Sequence, residues 1–208
     1  MPAARGHMMD VAASAPIDPS AIIDPTAVIG QGCTIRQLVQ VREFARLGPE
    51  CVLARGTYIG PGVVVGRHCT IQEYAVIYEP SLLEDGVFVG AAAVFTNNSH
   101  PRAVNPDGTP RATDDRDLVG VTVRTGATIG AHAVCIAPLT IGRWALVAAG
   151  AIVTENVPDY AQVVGVPARR TGWVGRSGLP LRAEGDGRFV CPVTGDEYTE
   201  RDGLLTRN

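Results

Sequence analysis

The sequence predicts an all-β solenoid, a stack of flat three-sided coils. Three observations carry this: a six-residue apolar period, small residues in step with it, and one long interruption. Every sixth residue from Ile17 to Phe95 is large and apolar: Ile17, Ile23, Ile29, Ile35, Val41, Leu47, Leu53, Ile59, Val65, Ile71, Ile77, Leu83, Val89 and Phe95. At ordinary apolar content a chance run of that length is on the order of one in ten thousand. A second series follows the interruption: Val123, Ile129, Cys135, Ile141, Val147 and Val153. Period six matches neither a helix of period 3.6 nor a simple alternating strand. A fixed short period marks stacked coils instead.

Each place in the hexad has its own task. The large residue, position one, points inward and fills the core. Position five is usually small, as at Ala21, Ala27, Cys33, Ala45, Cys51, Cys69, Ala75 and Ala93, and is expected beneath a tight corner. Position two is often glycine, as at Gly30, Gly48, Gly60, Gly66, Gly90, Gly130 and Gly142, and reads as a place whose backbone angles forbid a side chain. Prolines fall at positions three and four (Pro19, Pro25, Pro49, Pro61, Pro80, Pro138), which must therefore lie at corners or outside the ladder. Cys33, Cys51 and Cys69 are eighteen residues apart, one full coil, and should stack about 4.8 Å from one another. That spacing falls within Cα range for a disulfide, and the reading preferred over it is thiols filling a narrow core in a reducing compartment. No coil can bury its own face, so the stack is the stable unit. The flat outer faces predict self-association, with a homotrimer as the natural outcome.

Bulk properties exclude several functions. The 208 residues carry 18 Lys+Arg against 21 Asp+Glu, a net charge of −3, with no basic run to attract nucleic acid. Aromatic residues make up 5%, too few for a base-stacking surface. No apolar stretch approaches the roughly 20 residues of a membrane span, and Met1 to Met9 lacks an apolar signal core. A cytoplasmic location is expected. Arg5-Gly6-His7-Met8 reads as a cloning remnant, which puts the native start at Met8 or Met9. No CxxC pair accompanies Cys191-Pro192, which argues against a zinc ribbon. No metal is expected. The chain divides into an N-terminal tail (1–16), the coil (17–158) with an extruded loop (96–122), and a C-terminal extension (159–208). Within that extension a small hairpin is expected between Asp186 and Leu205.

Function is expected where the period breaks. Phe95 and Val123 are 28 residues apart, which is not a multiple of six, so the phase is lost between them. The segment begins Thr96-Asn97-Asn98-Ser99-His100-Pro101-Arg102 and is polar and rich in turn formers. A long loop leaving a rigid scaffold is a common place for binding and catalytic groups. Asn97, His100 and Arg102 are its candidates. Tyr78 and Glu79 stand one coil before Thr96 and Asn97, and they either line the same wall or form a plain surface corner.

The hexads, with Asn156-Val157-Pro158-Asp159-Tyr160-Ala161 and Val164-Gly165-Val166-Pro167-Ala168-Arg169 after them, resemble the hexapeptide-repeat acyltransferases. That resemblance implies a left-handed parallel β-helix, a homotrimer and acyl-CoA lying between neighbouring coils. Leu83-Glu84-Asp85-Gly86-Val87-Phe88-Val89-Gly90 running into Phe95-Thr96-Asn97, then Pro101-Arg102, is similar to bacterial nucleotide-sugar N-acetyltransferases. Gly172-Trp173 and the Cys191-Pro192 tail are similar to their UDP-sugar members. These enzymes acetylate an amino group on UDP- or dTDP-linked deoxysugars. The resemblance implies that Asn97 sits at the acceptor amine, that Arg102 frames the loop and that Gln72 touches the nucleotide. It also implies that small late-coil residues, Ala131, Ala137, Ala148, Ala149 and Gly150, admit the pantetheine of acetyl-CoA. Arg169 and Arg170 would meet its phosphates. The sequence departs from the pattern at Arg36-Gln37-Leu38, where an aromatic Trp-x-Phe is usual, at Asn98 and at His100.

Three alternatives stay open at this stage. O-acetylation of a sugar or small molecule would use His100 as a base, because a hydroxyl must lose its proton during attack. A γ-type carbonic anhydrase would need three histidines on a metal, and His68, His100 and His132 are evenly spaced. A non-catalytic β-helix would only assemble with partners.

Overall fold

A computed structural model describes residues 17–111 and 118–208. The N-terminal tail, with its expected cloning remnant, and residues 112–117 lie outside the described residues. The chain winds as a left-handed parallel β-helix, and among the described residues there is no helix of any length. Two-residue strands recur every six residues and distribute themselves over three faces. Face I holds seven strands, from Ile22–Ile23 to Ile152–Val153. Face II holds six, from Val28–Ile29 to Leu139–Ile141. Face III begins at Thr34–Ile35 and reaches Ala161–Val164, so the parallel ladder continues into the extension.

The register is one coil per eighteen residues. Ile23 pairs with Val41, Val41 with Ile59, Ile59 with Ile77 and Ile77 with Phe95. Across the interruption, Leu83 pairs with Val123, Val89 with Ile129 and Phe95 with Cys135. The loop therefore enters and leaves at a single corner, between faces I and II, without disturbing the coil above it.

Position one behaves as expected. From Ile35 to Val153 these side chains are buried, whereas Ile17 is 44% exposed and Ile23 and Ile29 are half-buried on the first, open coil. Position five lies beneath the corners, where Cys33, Cys51 and Cys69 are buried free thiols. Each donates to a carbonyl one coil further on: Cys33 Sγ to Gly48 at 3.2 Å, Cys51 to Gly66 at 3.0 Å and Cys69 to Glu84 at 3.2 Å. Burial alone pushes the Cys135 thiol up to about 12, so it stays protonated and inert.

The corners correct one expectation. None of the position-two glycines named above has a positive φ. They are small because the next coil passes directly over them: a Cβ on Gly48 would lie 2.6 Å from the Gly66 carbonyl carbon, and one on Gly66 would lie 2.5 Å from Asp85 Oδ1. The left-handed conformation belongs to position four. It is taken by Gly32, Gly56, Gly62, Gly86, Gly126 and Gly150, and also by Leu38, Phe44, Glu50, His68, Tyr74, Ala92, His132 and Trp144. At Pro80 and Pro138 the same place is filled by a cis proline.

The extension is larger than a hairpin. After Ala161–Val164 the chain reverses into the antiparallel strand Arg169–Trp173. A separate antiparallel sheet follows, made of Arg182–Gly185, Arg188–Val190, Glu197–Arg201 and Leu204–Arg207. It is pinned to the coil by Tyr198, fully buried, whose ring lies edge-on to Tyr160 at 5.3 Å. Trp173 Nε1 donates to Glu200 Oε2 at 3.0 Å. Together these elements cover the last coil, as terminal repeats of a solenoid must. Cys191 is buried in this region, with Ser177 Oγ 3.2 Å from its sulfur; this hydrogen bond leads those that hold the thiol down to about 7.

Two stability outcomes follow. Gly48→Ala should lower unfolding free energy by about 1–3 kcal/mol in urea titration, because backbone must move to admit the methyl. Gly172→Ala, with open space around it and no positive φ, should change it by no more than about 0.5 kcal/mol. The second concerns Glu84, whose Oε2 accepts from Thr125 Oγ1 at 2.7 Å and from its N–H at 2.9 Å. These bonds hold its carboxyl below the ordinary 4.5. The unfolded chain therefore binds the proton first on acidification. The contribution is complete above pH 4.5 and is lost as pH falls through the lower folded value. Glu84→Gln should cost about 1 kcal/mol at pH 7 and flatten the acid limb of the stability profile.

Candidate functional site

The corner between faces I and II carries the site. Successive coils place residues there in vertical columns eighteen apart. One column reads Arg42, Gly60, Tyr78, Thr96; the next reads Glu43, Pro61, Glu79, Asn97. The loop leaves from the upper end of both columns and folds back over them.

Its stem is tied at both ends. Val119 N–H donates to Asn97 C=O at 3.1 Å, and Asn98 bridges Leu118. Thr96 Oγ1 accepts from Ala137 N–H at 3.0 Å, and Ser99 Oγ donates to Ala137 C=O at 3.5 Å. Asn98 Oδ1 accepts from His100 N–H at 2.9 Å, which turns the chain towards Pro101. Further out, Arg111 N–H donates to Ala103 C=O at 3.1 Å, and Asp107 Oδ1 accepts from both Thr109 Oγ1 and Thr109 N–H.

Beneath this stem lies a cavity of about 740 Å³ lined by Arg42, Tyr58, Pro61, Tyr78, Glu79, Asn97, Asn98, Pro101, Arg102, Ala103 and Arg111. Its floor is aromatic: Tyr58 and Tyr78 meet edge-on at 5.6 Å. Arg42 Nη1 donates to Tyr58 OH at 3.4 Å, while Arg42 Nε is held by Glu43 at 2.9 Å. Burial raises the Tyr58 phenol, and Arg42 opposes that shift. Arg102 makes no ion pair to any described residue; its Nη1 donates only to Pro101 C=O at 2.9 Å. Three guanidinium groups around one open cavity suit a phosphate-bearing ligand, and paired phenol rings suit the flat or apolar side of one.

Of the sequence candidates, Asn97, Arg102, Tyr78 and Glu79 are brought together here. His100 is not among the lining residues. It is exposed and borders a neighbouring hollow of about 550 Å³ with Arg102, Val104, Asn105, Pro106 and Arg111. Gln72, Ala131, Ala148, Ala149 and Gly150 stand at the corner between faces III and I, across face I from the cavity. Ala137 is buried, and its backbone anchors the loop. Arg169 is exposed and ion-paired with Glu155 at 3.6 Å. Arg170 lies over the Trp173 ring at 4.2 Å and pairs with Glu200 at 3.1 Å, so its guanidinium is held by the extension. His68 pairs with Glu50 at 3.0 Å; His68, His100 and His132 stand at three different corners. Among the described residues no three His, Cys, Asp or Glu side chains are grouped to hold a metal. Arg42, Tyr58 and Arg111 were not singled out from the sequence. Counting back by eighteens from Thr96 reaches Arg42 and would have found it.

Comparison with known proteins agrees with this architecture. The bacterial transferase hexapeptide (six repeats) family matches residues 44–79, the coils directly below the loop. Over 85 residues the chain is 40% identical to the dTDP-3-amino-3,6-dideoxy-alpha-D-galactopyranose 3-N-acetyltransferase of Aneurinibacillus thermoaerophilus, covering 41% of this chain and 43% of that protein. Over another 85-residue alignment it is 36% identical to the serine acetyltransferase of Haemophilus influenzae, covering 40% of this chain and 31% of that protein. The chain thus matches less than half the length of these curated relatives. A crystal structure of the Bacillus cereus BC4754 gene product superposes with a TM-score of 0.52 at 18% identity, over 76% of this chain and 81% of the other. That likeness establishes the shared coil.

Thr96→Val should leave the Ala137 N–H without its acceptor. Stability should fall by about 1–3 kcal/mol, and limited trypsin digestion should cut at Arg102 or Arg111 faster than in the parent protein.

Proposed function

We propose that the protein is an acetyl-CoA-dependent N-acetyltransferase acting on the amino group of a nucleotide-linked sugar, with UDP or dTDP as the nucleotide. The observation that carries this reading is the cavity where Asn97, Tyr58, Tyr78 and the guanidinium groups of Arg42, Arg102 and Arg111 meet. Cationic groups take the diphosphate, phenol rings take the sugar or base, and the Asn97 carbonyl orients the amine. The aligned N-acetyltransferase of a dTDP-amino sugar supports the same substrate class.

Amine chemistry fits the placement of His100. An aliphatic amine of pKa near 8 is about a tenth neutral at pH 7, so reaching the nucleophilic form costs only about 1.4 kcal/mol. Attack on the thioester then needs orientation and a donor for the developing oxyanion more than it needs a strong base. A histidine outside the cavity is compatible with that requirement. The acetyl-CoA arm is assigned to the corner between faces III and I, where Ala131, Ala148, Ala149 and Gly150 keep the surface low and Arg169 stands exposed nearby. This corner and the cavity lie at opposite edges of face I, so a complete site requires a second copy, consistent with a homotrimer. Five free cysteines suit a reducing cytoplasm.

The test is thiol release from acetyl-CoA with UDP- and dTDP-amino sugars, using the matched hydroxyl sugars as controls. Release with amino sugars alone is expected. Release with hydroxyl sugars alone would transfer the assignment to O-acetylation, and silence across the panel would remove this reading. Within the active panel, Asn97→Ala should lower kcat/KM about a hundredfold, whereas His100→Ala should change it less than about threefold.

A further inference from the structure

The Glu79 carboxylate is the odd member of the cavity. Its Oε2 is fully covered and makes no hydrogen bond. No ion pair joins Glu79 to any described residue, although Arg42 and Arg102 line the same space. It is packed so closely over Gly60 that a Cβ there would lie 2.6 Å from Oε2. A covered carboxylate oxygen with no donor is costly, and such groups in a native site call for a partner that arrives from outside. In the parallel register Glu79 lies directly below Asn97, one coil spacing of about 4.8 Å away. The Glu79 carboxylate and the Asn97 amide carbonyl line the same cavity, and both are hydrogen-bond acceptors, the first carrying negative charge. A sugar ammonium supplies three N–H donors.

We infer that Glu79 is the specificity-determining residue that distinguishes an amino sugar from its hydroxyl counterpart, by accepting N–H bonds from the ammonium form as it binds. This rests on the nucleotide-sugar reading above. The group acts in recognition; the ammonium passes its proton to solvent through the open cavity before attack. Arg42 and Arg102 serve the phosphates and make no ion pair with Glu79, so the two ends of the ligand are held by opposite charges.

Equilibrium binding without acetyl-CoA tests the inference by calorimetry on the full chain. The probes are dTDP, a dTDP-3-amino-3,6-dideoxyhexose and the 3-hydroxy sugar of the same configuration, with the UDP-linked set in parallel. Glu79→Gln should weaken the amino sugar about tenfold or more and leave the free nucleotide and the hydroxyl sugar unchanged, so that the preference collapses. Unchanged nucleotide binding also shows that the variant is folded. If the parent protein prefers the amino sugar and Glu79→Gln keeps that preference, or if all ligands weaken alike, the inference fails while the nucleotide-sugar reading stands. If the parent protein binds neither nucleotide nor nucleotide sugar, both fall together.

Discussion

Everything in this molecule depends on backbone hydrogen bonds between strands eighteen residues apart. A two-residue strand has no independent stability, and no coil encloses a core of its own. Each coil is held only by the ladders to its neighbours and by the column of aliphatic side chains those ladders bring into line. The requirement is strict about spacing and lenient about identity. It accepts isoleucine, leucine, valine, phenylalanine or cysteine at position one, provided the interval is kept. It is severe at position two, where Gly48 and Gly66 lie so close to the coil above that a methyl has no room.

The same ladder builds the site. Because register is parallel, residues one coil apart fall into columns, and the column Pro61, Glu79, Asn97 brings together groups far apart in the chain. The loop adds Arg102 and Arg111 from above, and the coil supplies Arg42 and Tyr58 from below. A rigid lower wall and a tied upper stem leave one open cavity between them. Charge within it is divided: the guanidinium groups favour anions, while the Glu79 carboxylate, close over Gly60, favours a cation.

Much of this was legible in the sequence, because inward-facing residues repeat and repetition needs no long-range information. Counting by sixes gives the coil, and counting by eighteens puts Tyr78 and Glu79 under Thr96 and Asn97. The corners were harder to read. Leu38, Phe44, Tyr74 and Trp144 hold left-handed backbone that their own propensities disfavour, and only the closed coil imposes it. Position-two glycine reads in the sequence as a matter of backbone angle, whereas its cause is a neighbouring backbone, a contact one coil distant. The extension gives no period at all. Its sheet exists because Tyr198 and Trp173 find Tyr160 and Glu200 on other elements. Arg111 likewise reaches the cavity through a loop whose path follows no repeat.

The return of register after the loop carries a broader consequence. The ladder constrains only where a strand arrives, not how much chain was spent on the way. Leu83 meets Val123 as smoothly as Leu47 meets Val65. With Asn97 and Val119 fastened to each other at the exit, the corner works as a socket. What is plugged into it can be lengthened, shortened or exchanged while the stack below keeps its count. Chemistry and architecture are thereby written in separable stretches of the chain, and selection can revise one without renegotiating the other.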